Sequence, residues 1–137
     1  MGSNGISGKE DDMTQLSKRA LFWTPRALSI AFIAFVGSFA LDVFGEGRDF
    51  SGTMLALVIH LIPALVLTAI LVLAWRWEWI GAALYAAAGA LYVVTVFRGR
   101  ISPGVKLTWI LTIAGPAFLL AIMFLAGWLK RGELHAR

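Results

Sequence analysis

From Thr53 to Ala74 the chain runs for 22 residues without a formal charge, and Leu, Val, Ile and Ala recur on every face a helix there could have. A helix that is apolar all round has no water-facing side, so it belongs either in a large core or in a bilayer. The hydrocarbon core of a bilayer takes about 20 apolar residues to cross. The run therefore reads as a membrane span, with His60 and Pro63 inside it and Trp75-Arg76-Trp77-Glu78-Trp79 closing it.

Composition agrees. Of 137 residues, 59% are hydrophobic and only 15% charged, and the mean hydropathy is +0.79. That balance belongs to a membrane protein of one domain. The absence of cysteine excludes disulfides, thiolate chemistry, Fe–S clusters and the common structural zinc sites. The net charge is +4, but the basic residues flank the apolar runs, which argues against nucleic acid as a partner.

In chain order, residues 1–20 are rich in Gly, Ser and charge, with Lys9-Glu10-Asp11-Asp12 at their centre. They carry too little apolar surface to offset ordering entropy and read as a disordered tail. The start Met1-Gly2 would suit myristoylation, but that signal wants Ser or Thr at position 6, which is Ile6. Thr24 and Pro25 mark the start of a first span over 24–44, as cap and first helical residue. A cleaved signal peptide ending near Ser38-Phe39-Ala40 is the competing reading, opposed by the acidic lead and by Asp42. A polar turn follows at Gly45–Asp49, then a second span over 53–75.

The link at Arg76–Glu78 is so short that the third span, 79–97, must be its antiparallel neighbour. Gly81, Ala82, Ala86 and Gly89 let backbones approach closely, which predicts a central helix. The fourth span covers 107–129, with Gly115-Pro116 near its middle, and residues 130–137 form a short basic tail. The expected fold is all-α, with four transmembrane helices in an antiparallel up-down bundle.

Lys and Arg set the orientation. With the N-terminus inside, Lys9, Lys18, Arg19, Arg26, Arg76, Lys130, Arg131 and Arg137 lie inside, against Arg48, Arg98, Arg100 and Lys106 outside. The excess predicts both termini in the cytoplasm. Trp23, Trp75, Trp77, Trp79 and Trp128 then gather at the inner interface as anchors, and Trp109 marks the outer one.

His60 is the most informative side chain. An ionisable group at that depth is costly and usually faces the bundle interior with a partner. Pro63 leaves the Ile59 carbonyl without its helical donor. The expectation is an internal polar site for ligand binding or proton relay, with His60 and Asp42 as a pair and Thr53 and Ser38 beside them. The plainer alternatives are a neutral histidine bonded inside the bundle and a helix-end carboxylate reaching water. Arg26, Arg76 and Glu78 are expected to form an interfacial ion pair that fixes the tight link. The sharper alternative is a lipid-headgroup or anion site on Arg26 and Arg76. Tyr85 and Tyr92, on one face, read as packing residues or as the lining of a cavity.

No phosphate loop, His-Glu-x-x-His pattern or nucleophile elbow occurs. One His and one Asp are too few ligands for a metal, and one His in a span is too few for a b-type haem. No cofactor or metal is expected, and no enzymatic activity.

Trp23-Thr24-Pro25-Arg26, Leu41-Asp42-Val43-Phe44-Gly45, His60-Leu61-Ile62-Pro63, Trp75-Arg76-Trp77-Glu78-Trp79-Ile80-Gly81 and Gly115-Pro116 together resemble a family of small prokaryotic four-span membrane proteins described only as a domain of unknown function. The resemblance covers about Trp23 to Trp128 and implies a prokaryotic cell membrane and a short-looped bundle. It implies no catalytic residue, and the N-terminal tail is longer than the family's. In size and span count the chain also resembles small multidrug exporters, which carry a carboxylate near the middle of the first span where this chain has only Asp42 near its end.

The leading expectation is a non-enzymatic accessory, assembly or lipid- or ligand-binding subunit. Its partners would be membrane lipids and either its own copies, as a homo-oligomer, or another membrane protein. The alternatives are a small proton-coupled transporter using His60 and Asp42, and a quinone- or haem-associated redox subunit.

Overall fold

A computed structural model describes the backbone of residues 4–45, 47 and 49–135, and the side chains of these except 4–7, 10, 11 and 132–135. All the described elements are helical. They are α1 (Asn4–Ser38) with a tightened 3-10 segment at Phe39–Gly45, α2 (Phe50–Arg76), α3 (Glu78–Arg98), α4 (Pro103–Trp109) and α5 (Gly115–His135). A π-helical turn at Ile110–Ala114 joins α4 to α5 in one continuous rod.

Four stretches are long and apolar enough to cross a bilayer: Asp12–Gly45, Phe50–Arg76, Glu78–Arg98 and Pro103–Arg131. They form the antiparallel up-down bundle, with α1 against α2 and α5, and α3 against α2 and α5. The inside is thinly furnished. Phe32, Leu67, Tyr85, Leu120 and Phe124 fill it, with Ala64, Ala74, Ala82 and Ala117 between them. The outside is as oily as the inside, with Leu55, Leu65, Val72, Leu91 and Ile122 all exposed. Water would not tolerate such a surface, whereas lipid tails are indifferent to it, so van der Waals packing rather than hydrophobic burial holds these helices together.

Small residues set the spacing. Trp77 alone links α2 to α3, in an extended conformation (φ −132, ψ 95). Its amide donates to Leu73 O at 2.9 Å, and its carbonyl accepts from Ile80 and Gly81 at 3.1 Å. Gly81 crosses against Ala74 so closely that a Cβ there would collide with the alanine methyl. A Cβ at Gly89 would meet the Phe118 ring at 3.2 Å. The small residues of α3 thus place it between α2 and α5.

Several boundaries differ from those read in the sequence. Residues 4–20, expected as part of a disordered tail, are helical and belong to α1, and the described side chains among them are exposed. The helix that carries the first span does not begin at Thr24-Pro25, because α1 runs through Pro25. Proline removes its own N–H and so takes the helical donor from the Leu21 carbonyl, yet the helix continues past it. Ser29 Oγ donates to Pro25 O at 2.7 Å, and Arg26 Nη1 donates to Phe22 O. The fourth span starts at Pro103, a first-turn proline, rather than at 107, and its helix continues to His135 through the expected basic tail. The π turn has a cause in Pro116, which has no N–H for the Thr112 carbonyl and crowds it. The helix widens just before the proline, and the Gly115 amide bonds to Ile110 O. Residues 1–3 of the tail, with the Met1-Gly2 start, fall outside the described residues, as do Glu46 and Arg48 of the first turn, Ala136 and Arg137.

Candidate functional site

At the end of the bundle where α2 turns into α3, charge is buried. Arg26 is fully buried on α1 and Glu78, at the start of α3, is 7% exposed. Arg26 Nη2 donates to Glu78 Oε1 at 3.1 Å. Arg131, half-exposed on α5, donates to the same oxygen at 3.1 Å. One carboxylate therefore ties three helices, and two guanidinium groups share it. Gly127 lies alongside the carboxylate, where a Cβ would make ordinary contact with Glu78 Oε2 at 3.4 Å.

Aromatic rings replace the water these charges lost. The Arg26 guanidinium lies 3.6 Å from the Phe22 ring centroid, 5.8 Å from that of Phe124 and 6.0 Å from that of Trp75. Arg131 lies 5.1 Å from Phe22. Arginine suits this setting because its flat, weakly hydrated cation both stacks on rings and forks to a carboxylate. Above the cluster Tyr85 stacks on Phe124, with centroids 5.7 Å apart. Arg26 Nε, Glu78 Oε2 and the Tyr85 hydroxyl are buried without a hydrogen-bond partner among the described residues.

The expected trio of Arg26, Arg76 and Glu78 is thus divided. Arg26 and Glu78 meet, but Arg76 is exposed and lies over the Trp77 ring at 5.3 Å. Buried Arg26 cannot reach a headgroup, so no anion site is built on Arg26 and Arg76 together. Arg131 completes the cluster, and sequence reasoning did not assign it there. The only hint was its position one turn beyond the interfacial Trp128. The anchors Trp23, Trp75, Trp77, Trp79 and Trp128 are all exposed, and Trp23 and Trp75 touch edge to face at 6.4 Å.

His60 lies elsewhere. It is exposed on the outer face of α2, three residues from the centre of that helix, or about 4.5 Å along its axis. Its Nδ1 is 2.8 Å from Ala56 O. A carbonyl can only accept, so Nδ1 carries a proton, and in the neutral ring Nε2 is then an acceptor. Pro63, also exposed, leaves the Ile59 carbonyl as a second acceptor on the same stretch.

The structure does not bring the other members of the expected polar site to His60. Asp42 is exposed in the 3-10 segment, and no hydrogen bond or ion pair joins it to His60 among the described residues. Ser38 Oγ donates to Phe35 O at 2.7 Å and Thr53 Oγ1 to Asp49 O at 3.0 Å, so each hydroxyl is satisfied by its own chain segment. Tyr92 is partly buried. Among the described residues no three His, Asp or Glu side chains converge as a metal site would require.

Residues 13–135 match the model of a family described as a domain of unknown function (DUF7670). No curated protein and no solved structure matches the chain.

Proposed function

The chain belongs to this family, and from that premise we propose that it is a non-enzymatic integral membrane subunit that docks against another membrane helix through the outer face of α2. One observation carries the reading: His60 faces outward near the middle of its span instead of inward. A histidine against lipid tails is unfavourable, and intramembrane ionisable side chains ordinarily face protein. With Nδ1 engaged by Ala56, what the face offers is acceptors, Nε2 and the Ile59 carbonyl. Its complement is a helix carrying hydroxyl or N–H donors.

The proton-coupled transporter is less well supported. It needs His60 and Asp42 to titrate together along a wetted path, whereas His60 bonds to its own helix. The buried charges are committed to joining α1, α3 and α5. Both termini in the cytoplasm fit the basic residues Arg76, Lys130 and Arg131 at the charged end, and a prokaryotic cell membrane is what the resemblance to small four-span proteins implies.

Native mass spectrometry of the detergent-extracted protein tests the docking. The intact protein is expected to retain a second polypeptide, its own copy or another, and His60→Phe to lose it without change in helix content. A chain that is monomeric under every extraction condition, with His60→Phe indistinguishable from it, would refute the reading.

A further inference from the structure

A cleft of about 500 Å³ lies between α3 and α5 and opens on the flank of the bundle. Ala82, Ala83 and Ala86 form one wall, and Phe118, Ile122 and Leu125 the other. Trp79 and Trp128 stand at one end, the end that carries the buried ion cluster. The lining is apolar throughout, and it is concave because three alanines face long side chains across the helix pair.

The dimensions select the occupant. From Phe118 to Trp128 is ten residues of α5, about 15 Å of helix. That is half the roughly 30 Å hydrocarbon thickness, so the cleft spans one leaflet, from interfacial tryptophans to the bilayer middle. A transmembrane helix would need the full thickness, whereas a single acyl chain needs one leaflet. The charge at the tryptophan end selects the headgroup. Arg131 is 51% exposed, one turn beyond Trp128, and shares Glu78 with Arg26, so among the described residues two guanidinium groups meet at this one carboxylate. Arg76 and Lys130 are exposed at the same end.

The geometry points to a binding site for an anionic phospholipid, with one acyl chain in the α3–α5 cleft and its phosphate at Arg131. The site is independent of the α2 face and goes beyond the docking function. Trp79 and Trp128 flank the glycerol region, where indole rings are at home. Arg131 is the residue that couples headgroup and fold, since the guanidinium that meets the phosphate also holds Glu78.

Native mass spectrometry of the full chain, delipidated in detergent and titrated with phosphatidylglycerol or phosphatidylcholine, tests this. One tightly retained phosphatidylglycerol is expected, with phosphatidylcholine held more weakly. Ala86→Leu, which fills the cleft, should abolish retention of both. Arg131→Gln should lower only the preference for phosphatidylglycerol, by about fivefold, the weight of one basic side chain near an anionic surface. Circular dichroism monitors folding, and Ala83→Leu at the exposed rim serves if Ala86→Leu fails to fold. Quenching of tryptophan emission by chain-brominated phosphatidylglycerol should fall in the same cleft variants. Equal retention of the two lipids by the unaltered protein overturns the inference, as does retention that survives the cleft variants. A dimer that Ala86→Leu dissociates, with no lipid adduct, also overturns it and assigns the cleft to a second copy.

Discussion

Two polar regions of the bundle meet the same solvent problem in opposite ways. At the α2–α3 end, Arg26 and Glu78 are buried, bonded to each other, and surrounded by aromatic rings and a second arginine. On the flank of α2, His60 is exposed with one ring nitrogen satisfied and the other bare. The first region completes its interactions within the chain, so it serves cohesion. The second is incomplete within the chain, so it is the better place to look for a partner. In a bilayer the polar group that still lacks a partner carries more functional information than the one most deeply buried.

The largest effect should come from breaking the first region. Glu78→Ala would leave the buried Arg26 cation without its carboxylate, a loss of about 3–5 kcal/mol, read as a lowered midpoint of denaturant unfolding in bicelles. Replacing the pair together, Arg26→Met with Glu78→Leu, should cost much less, because no lone charge is left behind. If the single and the paired replacement are equally harmful, the cluster is not acting as an ion pair. The next effect belongs to the crossing beside it. Gly81→Ala forces a methyl group onto Ala74 and should cost about 1–3 kcal/mol as overpacking. Gly104→Ala, where no heavy atom lies within 4 Å, should be neutral or stabilise by up to about 1 kcal/mol.

These two regions were not equally legible in the sequence. The four spans could be read because each apolar run exceeds what a soluble helix carries, and the short link read at Arg76–Glu78 required the second and third spans to be antiparallel neighbours. Glu78 could be tied to Arg26 only as a residue at the same end, since contact across 52 positions depends on how helices cross. Arg131 had no local signal for the same reason. His60 posed the opposite difficulty. A helix apolar on every face has no periodicity to say which side is inner, so the expectation that an ionisable residue faces the bundle replaced evidence that α2 does not contain. Pro25 misled because a proline that suits a first helical turn also occurs inside a helix, where it costs one donor, that of the Leu21 carbonyl, and the helix runs on.

A smaller effect sharpens the second half of the comparison. His60→Phe removes an exposed side chain whose one hydrogen bond among the described residues is to its own helix, so the unfolding free energy of the isolated chain should change by no more than about 0.5 kcal/mol. The same substitution is expected to remove the bound partner. A large loss of stability in the isolated chain would mean that His60 serves cohesion as Arg26 does, and the contrast between the regions would close.

The smallest effect lies outside both regions and outside the spans, at Asp49 in the first turn. The Ser51 hydroxyl donates to its carboxylate and holds its pKa below the ordinary 3.8, with the Gly52 amide assisting. A carboxyl group whose pKa is depressed in the folded state binds its proton more readily when unfolded. Its contribution to stability is therefore present above about pH 3.8 and lost as pH falls through the lower folded value. Because Asp49 is exposed, the contribution is slight, and the titration itself is the better readout. Carboxyl chemical shifts in micelles should give a midpoint below 3.8, and Ser51→Ala should move it back towards that value. A midpoint at or above 3.8 in the unaltered chain, unchanged by Ser51→Ala, would mean that the hydroxyl does not hold the carboxylate and that the start of α2 is set by its backbone bonds alone, Thr53 N to Asp49 O at 2.9 Å foremost.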